Sequence, residues 1–412
     1  MLKTKLKQLT FLIACAALFN FSSVDSASAK VEGDTIIFGA AVSFTGKYST
    51  NGKHTKNGYD LAVERINAKG GVTVAGKNYK LAVQYYDDES TPARAAALVE
   101  RLIQQDGIKF LLGPYGSGLT KAIAPVTEKY GIPMVEGNGA SRSLFNKGYK
   151  YLFAVLSTSE QYLAESISLA AEQAKKAGRD PSTVTVAIAV ENDPFSQDIR
   201  AGVMDDAKKF GMKVVIDDKL PKELSDMTAT LTKVKALKPD VLVVSGHSKG
   251  ASLVIRQVNE MKVNVPMLAI THCEAADVIG KFGAGAENTL CATQWTETMS
   301  YHDDYFGTAM DYFNDFKAKY EYDPPYQAAE STASVQVYVD AIQRAGSFDT
   351  DKIRDALAAT DLATFYGQIK FSEAGNNIAK PMVLRQVQNG KYVAVAPTKF
   401  ATVPVVYPRP NF

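Results

Sequence analysis

Short runs rich in β-branched residues alternate with longer amphipathic runs along this chain, at a spacing that fits strand, crossover helix, parallel strand. Segments 35–42, 79–87 and 109–113 read as strands. Between the first two, Tyr59, Ala62, Val63 and Ile66 fall at i, i+3, i+4 and i+7, and Ala95, Leu98, Val99, Leu102 and Ile103 repeat the pattern before the third. Each segment is a helix with one apolar stripe. After 151–155 the alternation restarts, with strands expected at 184–191, 213–217, 240–245 and 266–270 and helices near 159–176, 195–210 and 248–261. Beyond Trp295 come helices at 304–319, 326–345 and 350–359, strands near 366–371 and 381–388, and an extended proline-bearing tail. Two α/β units in tandem are the economical reading of 412 residues, a length more comfortable as two domains than as one.

The N-terminus adds a destination. Lys3, Lys5 and Lys7 precede an apolar run at 9–19, and a small-residue stretch ends at Ala27-Ser28-Ala29. This is the pattern of a secretory signal, expected to be cut after Ala29. The run falls far short of the roughly 20 residues a bilayer core demands. Leu12-Ile13-Ala14-Cys15 offers a competing reading, a lipoprotein anchored through Cys15, against which the apolar run continues to Phe19. Cutting after Ala29 removes three lysines and one aspartate, leaving acidic and basic residues nearly equal in number. That balance gives no electrostatic reason to bind nucleic acid or an anionic membrane. Cys273 and Cys291 remain. In an exported chain they either pair or sit as two small buried hydrophobes, and two thiols do not decide between these.

In open parallel sheets, ligands sit beyond the carboxyl ends of the strands. The strand at 109–112 runs into Gly113-Pro114-Tyr115-Gly116-Ser117-Gly118-Leu119-Thr120, with a helix expected to begin near Leu119. Glycines admit a ligand close to the backbone, first-turn amides point outward, and two hydroxyls are at hand, which together suit a carboxylate. A capped helix start is the plainer alternative. The strand at 132–135 ends in Glu136-Gly137-Asn138-Gly139-Ala140-Ser141-Arg142, a second polar loop of the same design.

An enzyme reading rests on Gly246-His247-Ser248-Lys249-Gly250, which spells G-x-S-x-G between a strand and a helix, with Asp277 and His302 following in hydrolase order. Ser248 would be the nucleophile. Five residues match readily by chance at a glycine-bearing turn, and His302 lies far from the C-terminal region where a triad base is expected. His54, His247, His272 and His302 show no metal-ligand spacing, and neither a Walker nor a dinucleotide glycine pattern is present.

Phe38-Gly39-Ala40, Phe44-Thr45-Gly46, Ile66-Asn67-Ala68-Lys69-Gly70-Gly71, Tyr86-Asp87-Asp88, Leu112-Gly113-Pro114 and Gly131-Ile132-Pro133-Met134 follow one another in a telling order. In that order and spacing the chain resembles type I periplasmic binding proteins, specifically the branched-chain amino-acid (leucine, isoleucine, valine) receptors of ABC importers. The resemblance covers essentially everything after residue 29. It implies an α/β fold of two Rossmann-like lobes, parallel sheets flanked by helices, joined by a three-segment hinge. Lobe one would be 30–154 plus 297–361, and lobe two 155–296 plus 362–412. It also implies a monomeric periplasmic receptor that is not an enzyme, needs no cofactor, closes on a small molecule by hinge rotation and serves a membrane permease with its cytoplasmic ATPase. A ligand-sensing receptor of the same fold is the alternative, disfavoured by the lack of any later membrane-length run.

Site residues carry over one at a time. Ser117, with Tyr115 and Gly116 beside it, matches the family's carboxylate grip, in agreement with the anion site read from the loop itself. Asn138 and Ala140 match backbone contacts, Asn51 a wall position and Tyr326 a late aromatic contact. Phe195 stands where the family has tyrosine, and His247 replaces another aromatic. Two positions depart further. The threonine that helps hold a ligand ammonium falls on Ala140 or, with a one-residue slip, Ser141. The lobe-two carboxylate falls on Thr271 or His272, and Glu274 would serve only with the loop shifted. A buried ammonium without a paired carboxylate costs several kcal/mol, so an acid lacking an α-amine competes with leucine-like ligands. That acid would be aromatic if Tyr115, Phe195 and Tyr326 line the site, although core packing is the other use for such rings.

Overall fold

The computed structural model describes residues 30–412, so the expected export signal and Cys15 lie outside the described residues. In chain order β1 (Val31–Glu32), β2 (Thr35–Val42), α1 (Ser49–Ala68), β3 (Val72–Val74), β4 (Lys77–Asp87), α2 (Pro92–Gln104), β5 (Leu111–Leu112), α3 (Ser117–Tyr130), β6 (Met134–Glu136) and β7 (Leu152–Ala154) come first. Their sheet runs β3-β4-β2-β5-β6-β7, with β1 paired to β2. Strands β4, β2, β5, β6 and β7 are parallel.

A second set follows: α4 (Ala164–Lys176), β8 (Thr185–Glu191), α5 (Pro194–Lys209), β9 (Lys213–Leu220), α6 (Thr228–Leu237), β10 (Val241–Ser245), α7 (His247–Glu260), β11 (Met267–Thr271), α8 (Val278–Phe282) and β12 (Leu290–Thr293). Strands β10 and β11 are buried at every position, as central strands covered by helices on both faces must be. The remaining elements are β13 (His302–Asp303), β14 (Gly307–Thr308), α9 (Ala309–Tyr320), α10 (Tyr326–Ala345), α11 (Thr350–Ala358), β15 (Asp361–Thr364), β16 (Gly367–Lys370), β17 (Val383–Gln388) and β18 (Lys391–Ala396). The second sheet runs β18-β17-β12-β11-β10-β8-β9, parallel from β12 to β9 and closed by antiparallel β17 and β18.

Helix α10 belongs to the first sheet although it lies far along the chain. Sixteen of its 20 residues are buried. A Cβ on Gly58 of α1 would sit 2.3 Å from the Ala328 carbonyl oxygen, so the two backbones touch and only glycine fits. The Thr332 hydroxyl donates to Gly58 O at 2.8 Å, the Tyr338 hydroxyl donates to Pro133 O at 2.6 Å, and the Tyr338 ring packs 5.1 Å from Phe38. The chain thus passes between the two sheets three times: after β7, after β12 and before β17. Side chains tie these passages together. Gln294 Nε2 donates to Ser157 O at 3.0 Å, its Oε1 accepts from Ser157 N at 3.1 Å, and the Ser157 hydroxyl donates to Lys380 O at 2.6 Å.

Several sequence expectations need correction. The strand expected over 109–113 narrows to Leu111–Leu112, and α3 starts at Ser117, two residues before Leu119, because Gly116 takes φ 90° and turns the chain early. The helix expected at 159–176 opens as a 3₁₀ turn, Ser159–Gln161, before α4. The one expected at 304–319 begins only at Ala309. Asp303 Oδ1 accepts from the amides of Tyr305 and Phe306, which folds a hairpin there, and a Thr308–Asp311 capping box then starts α9. Helix α6 and strand β18 have no counterpart among the sequence expectations: α6 carries lysines and threonines with a thin apolar stripe, and β18 falls within the stretch that reads as tail.

Cys273 and Cys291 form a disulfide linking the end of β11 to β12, so the open choice between a bridge and two free thiols resolves to a bridge. It spans 18 positions, a loop whose cross-linking is worth about 3 kcal/mol. Replacing both cysteines by serine, or reducing the wild type, is expected to lower the urea-unfolding free energy by about that amount. An unchanged unfolding midpoint would argue that the thiols are free.

Candidate functional site

The loops that leave β5 and β6 face those that leave β8, β10 and β11 across the gap between the sheets. Their side chains enclose a cavity lined by Tyr115, Gly116, Asn138, Tyr162, Phe195, His247, His272, Tyr326, Gln327 and Glu330. It is small, with about 10 Å³ of room, close to the least that holds one water. A groove of about 290 Å³ between Thr50 and Lys249, Arg256 and Lys281 is larger but open to solvent.

Tyr115 joins the two sides. Its hydroxyl lies 2.9 Å from His247 Nδ1 and 2.8 Å from His272 Nε2. Both histidines adopt left-handed backbone conformations, φ 54° and 63°, an arrangement that costs of order 1–3 kcal/mol and persists where surroundings impose it. Burial, and then the His247 imidazole, hold His272 well below the ordinary histidine range, so it is neutral near pH 7. Burial alone would raise the Asp193 carboxyl; His247, whose Nε2 lies 3.4 Å away, and the amide of Ser196 bring it below the ordinary aspartate value. Phe195 packs 5.4 Å from both imidazoles, and Tyr162 stands edge-on to Phe195 at 5.1 Å.

More contacts ring the cavity. The Lys47 ammonium, from the loop after β2, pairs with Glu191 at the end of β8 and donates to Lys222 O. Burial raises Glu191, against the pull of His247 and Lys47. The Ser248 hydroxyl donates to Asn51 Oδ1 at 2.9 Å. The Ser141 hydroxyl donates to Asp198.

Of the sequence-selected residues, Tyr115, Gly116, Asn138, Phe195, His247, His272 and Tyr326 line the cavity. Ser117 is beside it, 1% exposed, accepting from the Ser141 amide at 2.9 Å, which pins the second loop to the start of α3. The Ala140 carbonyl accepts from the Ser159 amide at 2.8 Å. Thr271 turns to Ser245 at 3.4 Å, while Asn51 and Ser141 make the bridging contacts above. Glu274 forms an ion pair with Arg385 on β17 and is engaged within its own sheet.

Sequence reasoning missed Tyr162, Gln327 and Glu330. Glu330 lies four residues after Tyr326 on α10, so the two share a helix face; that spacing was the available signal. Tyr162 follows a 3₁₀ turn that no periodicity announces. Beneath the cavity, burial pushes Glu136 up to about 7, although Thr120 Oγ1 and the amides of Asn138, Gly139 and Gly137 hydrogen-bond to it. A Cβ on Gly113 would fall 2.2 Å from Glu136 Oε2, so glycine makes room for the carboxyl.

The hydrolase triad is not assembled. Ser248 bonds to Asn51, Asp277 accepts from Gly280 N at 3.1 Å to cap α8, and His302 is paired with Thr308 in the β13–β14 hairpin. Glu191, Asp193 and His247, which sequence spacing did not connect, bring potential metal-ligand atoms within 4.8 Å of one another. The Lys47 ammonium already occupies Glu191 and opposes a second cation there.

Known proteins agree with this architecture. A family profile described as "Periplasmic binding protein" matches residues 35–391. "Leu/Ile/Val-binding protein homolog 8" of Brucella abortus (strain 2308) is 25% identical over 383 residues, 88% of this chain and 91% of the relative. The branched-chain amino acid transporter substrate binding protein LivJ from Streptococcus pneumoniae, solved with isoleucine, superposes with TM-score 0.76 at 24% identity, covering 88% of this chain and all of that one. A solute binding protein from Rhodopseudomonas palustris BisB5, solved with 3,4-dihydroxy benzoic acid, gives TM-score 0.76 at 20% identity, covering 91% and 99%. Both structures share the fold of two parallel-sheet units.

Glu136 supplies a pH test. Its carboxyl titrates near 7 when folded and at an ordinary 4.5 when unfolded. Between those values the unfolded chain has released a proton that the folded chain retains, so this group's contribution to stability falls as pH rises through that window and is level above it. The stability gap between Glu136→Gln and wild type should shift in the mutant's favour from pH 4.5 to 7 and then stay constant. Parallel stability curves across that window would refute the assignment.

Proposed function

The chain belongs to the periplasmic binding protein family, of the branched-chain amino-acid-receptor type, and from that membership we propose that it is the periplasmic solute-binding component of an ABC importer, closing on a small carboxylate-bearing molecule. The observation that carries this reading is the Tyr115 hydroxyl bonded to both His247 and His272, which ties the loops of one sheet to those of the other around a cavity lined from both. A site built this way opens when the two sheets separate at the three passages and closes when they meet.

The carboxylate is received at the start of α3. Amides in a helix's first turn lack intrahelical partners and point toward a bound anion. Gly116, at φ 90° and without a side chain, lets that anion approach. Ser117 accepts from Ser141 N, so its own hydroxyl proton is free to point at the ligand. Tyr162, Phe195 and Tyr326 supply apolar surface for the body of the molecule. Relatives solved with isoleucine and with 3,4-dihydroxy benzoic acid support a ligand that shares a carboxylate and differs beyond it. The protein acts as a monomer, and the closed pair of lobes is what the permease and its ATPase partner receive.

A thermal-shift survey of amino acids, benzoates, cinnamates and keto acids identifies the ligand class, with calorimetry on the hits. Ser117→Ala is expected to weaken binding by about 1–2 kcal/mol, the scale of a hydrogen bond to a charged group. Unchanged affinity places the carboxylate elsewhere. Saturating ligand is also expected to reduce the radius of gyration in small-angle scattering, and a constant radius would count against hinge closure.

A further inference from the structure

Glu191, Asp193 and His247 converge for a structural reason. Strands β8 and β10 are parallel neighbours, with Val190 opposite Ser245, so the residues that follow each strand meet at one edge of the second sheet. Glu191 ends β8, Asp193 caps α5 and His247 opens α7. All three are buried, at 0%, 7% and 4% exposure. One atom of each is engaged and orients the side chain: Glu191 Oε1 pairs with Lys47, Asp193 Oδ1 accepts from Ser196 N at 3.1 Å, and His247 Nδ1 meets the Tyr115 hydroxyl at 2.9 Å. The other atom, Glu191 Oε2, Asp193 Oδ2 and His247 Nε2, has no hydrogen-bond partner. Ligand atoms of the three residues lie within 4.8 Å of one another.

One imidazole and two carboxyls are a ligand set for a divalent first-row ion, zinc or cobalt rather than the all-oxygen cations. The spacing suits such an ion. Ligands about 2.1 Å from zinc stand about 3.4 Å apart in a tetrahedron, and His247 Nε2 lies 3.4 Å from Asp193 Oδ2. A small turn of the Glu191 side chain brings in the third. Burial raises the Glu191 carboxyl, and a bound divalent ion would restore its ionised form. The atoms already engaged, Asp193 Oδ1 above all, would act as the supports that orient metal ligands.

We infer that Glu191, Asp193 and His247 form a site for a divalent first-row metal ion on the second-sheet unit, open to the metal when the two sheets are apart and plugged by the Lys47 ammonium when they meet. The three ligands belong to one unit and stay together as the sheets separate. Lys47 belongs to the other and leaves. The plug therefore rests on the opening in the functional reading above, whereas the ligand set does not. In the closed arrangement Lys47 stands where the metal's charge would be, so metal and closure exclude one another. A bound metal holds the protein open and acts against whatever molecule closes it.

Zinc chloride titrated by calorimetry into the untagged mature chain, with no organic ligand added, is expected to bind at a single site, and cobalt chloride to develop the visible absorption of a protein-bound ion. Asp193→Asn keeps the cap of α5 and His247→Asn suits a left-handed backbone; each should weaken zinc by at least about tenfold. His302→Gln, in the exposed hairpin, should leave it unchanged. Zinc should weaken by at least about fivefold the carboxylate that the thermal-shift survey identifies, without reducing the radius of gyration, and Lys47→Met should relieve that antagonism. No zinc binding, or zinc affinity that survives both asparagine variants, overturns the site and leaves a plain carboxylate–imidazole contact. Should either variant fail to fold, Glu191→Gln replaces it. Zinc that binds without affecting the carboxylate, or an antagonism that survives Lys47→Met, overturns the plug. If no carboxylate binds, the functional reading falls, while the zinc titration still decides the site.

Discussion

A set of polar groups buried between the two sheets finds partners on the opposite side, and that constraint organises the molecule. Tyr115 needs His247 and His272, Lys47 needs Glu191, Asn51 meets Ser248, and Ser141 meets Asp198. A buried donor or acceptor left without a partner costs about 1–3 kcal/mol. In the opening proposed above, water would take the place of these partners. The left-handed backbones of His247 and His272 fit the same logic, since local strain at those turns places both imidazoles against one hydroxyl.

Much of the fold was legible because it rests on periodicity. The apolar stripes of α1 and α2 and the continuous apolar strands β8, β10 and β11 were each visible as 3.6-residue or uninterrupted patterns. What stayed hidden depended on contacts distant in sequence. Nothing local says that α10 completes the first sheet; that follows from Gly58 meeting Ala328 and Tyr338 meeting Pro133. The disulfide was open for the same reason, since pairing Cys273 with Cys291 requires β11 beside β12.

The site divides in a similar way. Residues in glycine-rich loops after strands, such as Tyr115, Gly116 and Asn138, were found because the end of a parallel strand is a predictable place for a ligand, whereas His272 came from the family resemblance. Glu330 was missed because an acid inside a buried helix has no such landmark. Its meaning comes from Glu136, Tyr366 and Lys380, contributed by three separate stretches of chain. In that low-dielectric setting burial also pushes Lys380 down to about 7, so charge at the third passage between the sheets is weakly held and responsive to what lies near Glu330.

The late arrival of α10 bears on how the chain acquires its structure. The first sheet is complete by Ala154, yet the helix that covers it comes from Tyr326–Ala345, and the second sheet waits for β17 and β18. Neither half can bury its core until nearly the whole polypeptide has been made. Such long-range closure is slow, and a chain that folds slowly stays extended for longer. For a protein whose first residues read as an export signal, the interleaved connectivity would work as a delay, holding the polypeptide in a threadable form while it crosses a membrane.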